Sequence, residues 1–222
     1  CASYVTPGGR ADLTAITSPS VQEGFSAKPA AQLPAGVAFA RIQAPRYENA
    51  WTRDNGGVWG HGRFSIVTVR EVEEEADLAR LAALPQLNGP IGLSTMLLPR
   101  ELDSELPLRQ AAARLQADML VLYTFDTTFR ERDRAAPLST ITLGLSPTRK
   151  IHVTVTASAL IVDTRTGFIY AALESTEDRE LSSNVWESNK TADNARREAE
   201  RAAFTKLVGE FESVWPRVIK QA

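Results

Sequence analysis

The segment Met119-Leu120-Val121-Leu122-Tyr123-Thr124-Phe125 limits what this chain can fold into more than any other stretch. It is an apolar run without polar alternation, which reads as a strand covered on both faces and so as the centre of a sheet with a layer on each side. Ser104 to Ala117 leads almost directly into it and predicts a short helix. Leu108, Ala111, Ala112 and Leu115 fall at i, i+3, i+4 and i+7, and Pro107 sits where a first turn tolerates proline.

Other elements group around this pair. Val37 to Ile42, between Pro34 and Pro45, suits a buried strand, and Phe64 to Val69 alternates as a second one. Glu73 to Leu84 reads as a helix with Leu78, Leu81 and Ala82 on one face. Glu71, Glu73, Glu74 and Glu75 are explained by the electrostatics of its first turn rather than by a carboxylate site. Val153, Val155, Ala157, Ala159 and Ile161 alternate with Thr154, Thr156 and Ser158 in a longer strand. Asp163-Thr164-Arg165-Thr166-Gly167 then turns the chain into Phe168 to Leu173, with Asp163 expected to accept bonds from turn amides and Gly167 to supply a positive φ.

Thr191 is expected to cap a last helix whose stripe is Ala195, Ala199, Ala202, Phe204, Leu207, Phe211, Val214 and Trp215. Asp193 with Arg197 and Arg196 with Glu200 are placed on its wet side, and Pro216 should stop or kink it at Trp215, giving a rod of about 37 Å. The fold class that follows is α/β (α+β): a single mixed sheet of about five strands packed by helices, with a long C-terminal helix, over residues 36–222.

Residue 1 is the only cysteine, so no intrachain disulfide can form, and a zinc site would need His61, His152 and carboxylates alone. Residues 2–35 hold Pro7-Gly8-Gly9, Ser18-Pro19-Ser20, Lys28-Pro29 and Leu33-Pro34 among sparse apolar residues. They are expected to form a flexible tether, with Ala11 to Ile16 folding back as one helical turn as the alternative. No uninterrupted apolar run approaches the roughly 18 residues a membrane-spanning helix needs.

No His-Glu-x-x-His, phosphate loop or Gly-x-Ser-x-Gly elbow occurs, and a net charge of −2 gives no basic footprint for nucleic acid. Gly57 to Gly62 precedes a strand instead of opening a helix, so it does not aim a helix terminus at a phosphate. His61 and His152 have no neighbouring nucleophile and read as solvated histidines. The expectation is a chain without catalytic residues, resident metal or cofactor.

Recognition is the alternative to catalysis, and two stretches suit it. The first is the breaker-rich loop 44–62, where Arg46, Tyr47, Trp51, Arg53, Trp59 and His61 combine aromatic and cationic types that anchor interfaces, or else fold back to cap the core. The second is the apolar arm Leu138 to Leu145, whose Ile141, Leu143 and Leu145 are flanked by Arg130, Arg132, Arg134, Arg149 and Lys150. That arm is shorter than the 9–11 residues of a barrel strand and reads as a small finger that touches a partner or lipid.

Cys1-Ala2-Ser3 resembles the processed start of a bacterial lipoprotein. The resemblance implies a diacylglycerol and an N-acyl chain such as palmitate on Cys1, and an outer-membrane anchor facing the periplasm. Ala111-Ala112-Ala113-Arg114-Leu115-Gln116-Ala117-Asp118-Met119 and Asp163-Thr164-Arg165-Thr166-Gly167-Phe168-Ile169, in that order, resemble a shared domain family. It is the domain of the curli-secretion lipoprotein CsgG, the penicillin-binding-protein activator LpoB and the amino-terminal part of TolB; a fainter likeness is to rhombotarget-type lipoproteins. The family has a helix where this chain has loop 44–62. The resemblance implies a non-catalytic, lipid-anchored periplasmic adaptor or assembly and activator protein of an envelope complex. Its partners would be the membrane, through the lipid, and an envelope protein. The alternative is a subunit of an oligomeric outer-membrane secretion or transport assembly, and a hydrolase using a carboxylate pair is a third reading.

Overall fold

A computed structural model describes residues 9–17, 21–132, 148–184 and 188–222. In chain order the elements are α1 (Leu13–Ile16), α2 (Val21–Ser26), β1 (Ala35–Gln43), α3 (Ala50–Asn55), β2 (Val58–Trp59), β3 (His61–Gly62), β4 (Ser65–Val67), α4 (Glu75–Ala82) and β5 (Leu87–Gly92). A 3-10 turn at Thr95–Leu97 and the short β6 (Glu101–Leu102) follow, then α5 (Leu106–Arg114), β7 (Met119–Arg132), β8 (Thr148–Asp163), β9 (Ile169–Asn184) and α6 (Ser188–Gln221).

Among the described residues the main mixed sheet runs in the order β2-β4-β1-β7-β8-β9, with β5 also on β1, so it has seven strands where the sequence predicts about five, and β3 pairs with β6 in a separate small sheet. β1 runs parallel to β7, and β7, β8 and β9 form an antiparallel meander. β5 carries Pro90, tolerable because β5 pairs with β1 alone and lies at an edge.

The missing alternation of β7 has a direct structural counterpart. Met119, Val121, Tyr123 and Phe125 enter a core with Val155, Ala157, Phe204, Leu207, Phe211 and Trp215 beneath α6. Leu120 and Leu122 enter a second core on the opposite face, with Leu108, Ala111 and Ala112 of α5 and Ile16 of α1. A seven-residue run without alternation therefore marks a strand shared by two layers.

Four expectations change. Residues 9–17 and 28–35 are docked rather than tethered: Ala11 and Ile16 are buried, the Ala11 amide donates to Thr124 Oγ1 (3.1 Å), and the Ala30 amide donates to Asp163 Oδ2 (2.7 Å). A few small or branched apolar residues and well-placed acceptors suffice to dock a segment that lacks a period. Loop 44–62 contains α3, β2 and β3, because Asn49 and Thr52 form a reciprocal capping box that starts a helix amid the breakers. β7, β8 and β9 run well past their apolar stretches, continuing as polar strands paired as far as Arg132↔Lys150 and Thr148↔Asn184. Finally, α6 passes through Pro216 to Gln221. Trp215 and Val218 are both fully buried, and Trp215 Nε1 donates to the Pro85 carbonyl (2.8 Å), which holds the chain helical beyond the proline. Cys1, Ile141, Leu143 and Leu145 lie outside the described residues.

Candidate functional site

The residues singled out in 44–62 divide into three environments. Arg46, Arg53 and His61 are exposed, Trp51 and Trp59 are half-buried, and Tyr47 is buried. Tyr47 is therefore corrected from surface anchor to core residue. The aromatic ring fills space beside β1, and the hydroxyl accepts from Arg41 Nη2 (3.3 Å) and Asn49 Nδ2 (3.1 Å). Burial pushes its phenol above the ordinary value.

Trp59 is clamped. Its Nε1 donates to the Pro99 carbonyl (3.1 Å), and the Arg100 guanidinium lies over its ring at 3.8 Å from the centroid. This clamp exists because β3 pairs in parallel with β6: the His61 amide donates to the Arg100 carbonyl (2.8 Å) and the Arg63 amide to the Leu102 carbonyl (2.9 Å). Gly60 and Gly62 make the pairing possible. Both have positive φ (81° and 120°), and a Cβ on Gly60 would lie 2.3 Å from Leu102 Cδ1. The glycine rhythm around His61 thus serves the approach of the 99–103 segment. On the same side segment, Met96 is 92% exposed. The sequence offered no signal for Arg100 or Met96, since nothing periodic surrounds them.

On the α6 side of the sheet, across from the core that Trp59 packs against, lies a buried charge cluster. Arg41 and Arg196 are sealed from solvent together with Glu200. Arg196 donates to Asp193 Oδ1 through Nε (3.0 Å), to Glu200 Oε2 through Nη1 (2.8 Å) and to Glu71 Oε1 through Nη2. Arg41 Nη2 donates to Glu200 Oε2 (3.2 Å), and Glu200 Oε1 accepts from Thr127 (2.9 Å). Arg41 also lies over the Phe125 ring at 4.6 Å, and Glu73 accepts from the Tyr123 hydroxyl (2.9 Å). Burial works to lower both guanidinium values, but Tyr47, Glu200 and Glu73 around Arg41, and Glu200 and Glu71 around Arg196, outweigh it and raise them.

Two corrections follow. Arg196 and Glu200 face inward instead of lining the wet side of the helix, and the carboxylates of Glu71 and Glu73 are buried against Arg196 and Arg41 rather than acting as helix-start charges. Glu71 also accepts from Asn49 Nδ2 (3.1 Å), so the cluster ties the α3 cap to α6. It is a set of ion pairs whose carboxylates already have partners.

At the opposite end of the sheet, Asp163 Oδ1 accepts from the Arg165 (2.8 Å) and Thr166 (3.0 Å) amides, and Oδ2 accepts from the Tyr170 hydroxyl (2.8 Å). Gly167 has φ of 75°. Burial alone would raise the Asp163 carboxyl, but these donors and the Ala30 amide together hold it below the usual range. Asp118 adds a second clasp, accepting from the Gly36 amide (3.1 Å) and from Arg165 Nη1 (2.7 Å).

His152 faces Glu180 across β8 and β9 (2.8 Å). Among the described residues no group of three or more His, Cys, Asp or Glu could hold a metal ion, and no helix is long and apolar enough to cross a membrane.

No family model matches this chain, and no curated protein does. Among solved structures it is similar to a minor lipoprotein from Acinetobacter baumannii, with 12% identity over 81% of this chain and 93% of that one, at a TM-score of 0.37. It is also similar to a putative neuraminyllactose-binding hemagglutinin homolog from Helicobacter pylori, with 10% identity over 84% and 86% of the two chains, at 0.37. The hypothetical protein CT253 from Chlamydia trachomatis has 13% identity over 80% and 95%, at 0.30.

Proposed function

We propose that this chain is a lipid-anchored, periplasm-facing protein of the outer membrane, without catalysis, that acts as an adaptor or activator in an envelope complex. The observation that carries the adaptor role is the Trp59 clamp: an aromatic ring held between Arg100 and the Pro99 carbonyl, beside exposed His61, with Met96 protruding from the same segment. Aromatic, methionine and arginine side chains on a rigid support are the types that anchor protein interfaces. The support is held by the pairing of Trp59 with Ile66 on β4 and of β3 with β6, whose Leu102 is fully buried.

In this reading the lipid is carried by Cys1. Gly9 is held on the body, its carbonyl accepting from the Ala44 amide (3.1 Å), and the chain from Cys1 to it can span at most about 29 Å. Held so, the surface meets only partners close to the bilayer.

The test has two arms. Intact mass of the chain purified from a bacterial envelope should show acyl chains on Cys1, and Cys1→Ser should move the protein to the soluble fraction. A photo-crosslinking residue at position 61 should capture a defined envelope protein, and Trp59→Ala with Arg100→Ala should abolish the adduct. An unacylated chain would sink the anchor, and an adduct indifferent to both substitutions would sink the surface.

A further inference from the structure

β9 closes the sheet, and among the described residues no strand lies against its outer edge. The direction of its backbone groups can be read from one contact. Thr176 stands opposite Thr156, yet its carbonyl accepts from Lys206 Nζ (3.2 Å), which reaches it from α6 and not from β8. In an antiparallel ladder, pairs that exchange both backbone bonds alternate with pairs whose N–H and C=O point away. Ala172, Glu174, Thr176, Asp178 and Glu180 therefore turn their amides and carbonyls to the open edge, and all five residues are exposed.

The same stretch is acidic. Glu174, Glu177, Asp178 and Glu180 stand with the single cation Arg179 between positions 174 and 180. Glu174, Asp178 and Glu180 lie on the face away from α6, in cross-strand contact with Ser158 (3.3 Å), Thr154 (2.5 Å) and His152 (2.8 Å) of β8. Long free edges are usually blunted by lysine, proline or a covering segment. Here the blunting is Lys206, which takes one carbonyl and pairs with Glu177.

We propose that the β9 edge from Ala172 to Glu180 is a docking site for an extended basic segment of a partner protein, which adds to the sheet as a further strand. Its backbone would pair with the outward amides and carbonyls, and lysines or arginines at alternate positions would lie over Glu174, Asp178 and Glu180. Charge selects this occupant over a second copy of the chain. Two β9 edges side by side would set carboxylates against carboxylates, and like charges directly opposed destabilise a strand pair. The inference names a partner chemistry for the adaptor reading but is independent of the lipid, so its failure leaves the acylation result untouched and the reverse holds too.

The test uses the full chain and two synthetic probes, a twelve-residue peptide of alternating threonine and lysine and its threonine–glutamate counterpart. Fluorescence anisotropy should show the lysine peptide binding about tenfold or more tighter, and amide exchange at Glu174, Thr176, Asp178 and Glu180 should slow in its presence. Asp178→Pro removes an outward amide and leaves the β8 ladder complete, so it should weaken binding about tenfold. Asp178→Lys should do the same with the backbone intact, which decides the matter if the proline variant does not fold. Equal binding of both peptides, slowed exchange elsewhere on the chain, or a dimer of the chain that Asp178→Pro dissociates would overturn the proposal.

Discussion

Arg41 on β1 and Glu200 on α6, 159 residues apart in the chain, meet at 3.2 Å with both side chains sealed from water. The contact joins the sheet to the helix that covers it, and it shares Glu200 Oε2 with Arg196. Removing one partner leaves an uncompensated buried charge, which is the costly way to break such a pair. Glu200→Gln should lower stability at pH 7 by about 3–5 kcal/mol in urea unfolding. The double change Arg41→Met with Glu200→Leu should be milder than Glu200→Gln alone; a double change that is worse than the single one would show the cluster does more than balance charge.

Asp163 makes a second, separable contribution. Its carboxyl is held below the ordinary value, chiefly by backbone amides acting against burial, so its stabilisation is present above the unfolded value and disappears as pH falls through the native one. Asp163→Asn is expected to cost about 1–3 kcal/mol at pH 7. The gap between wild type and variant should close as the pH drops below about 4. Denaturant midpoints measured from neutral to acid pH check this; a gap that is constant with pH would mean the loss is steric.

Tyr170 donates to that carboxylate and behaves with the opposite sign. Burial first, and then the bond to Asp163, push its phenol up to about 12. The stabilisation is therefore complete below the ordinary value of 10 and is lost as pH rises from there towards 12. Tyr170→Phe should be less stable by about 1 kcal/mol at pH 7 and should lack this alkaline decline. Thermal unfolding between pH 8 and 12 follows both.

How far the sequence disclosed this architecture depends on whether a residue's partner lies in its own element. β7 was legible because two cores act on one short run, and α5 because its apolar spacing is local. Asp163 and Gly167 likewise carry a turn whose donors sit two and three residues away. Arg196 and Glu200 look like an ordinary solvated i,i+4 pair, and only the arrival of Arg41 and Glu71 from distant segments turns them inward. One signal existed: Arg41 interrupts an apolar strand on the side shared by Val37 and Phe39, where a charge requires a buried partner. The outer halves of β7, β8 and β9 were hidden for a different reason. Polar residues occupy both faces there, as in Glu174 to Glu180, so alternation between apolar and polar residues fades although the backbone pairing persists.

The Trp59 clamp should respond to a single methyl group. At φ of 81°, Gly60 sits where a Cβ is both strained and in collision with Leu102. Gly60→Ala is expected to cost about 1–3 kcal/mol and to loosen β3 from β6. Selective red-shifted emission, seen against a Trp59→Phe background, reports release of the indole. An unshifted spectrum with lowered stability would place the strain outside the clamp.

Pro216 offers a change in the opposite direction. It has no amide hydrogen to donate to the Glu212 carbonyl, and it lies on the exposed side of α6 between two residues that are fully buried nearby, Trp215 and Val218. The helix continues because Trp215 stacks on Phe211 at 5.3 Å and hydrogen-bonds the Pro85 carbonyl, contacts that offset the lost ladder bond. Pro216→Ala restores that bond without altering the packed face and should raise stability by up to about 3 kcal/mol. Trp215→Phe removes the indole donor and should lower it. In Trp215→Phe the added benefit of Pro216→Ala should be larger than in wild type, because the ladder must then hold the last turns without the indole anchor; equal benefits in both backgrounds would show that the two residues act independently.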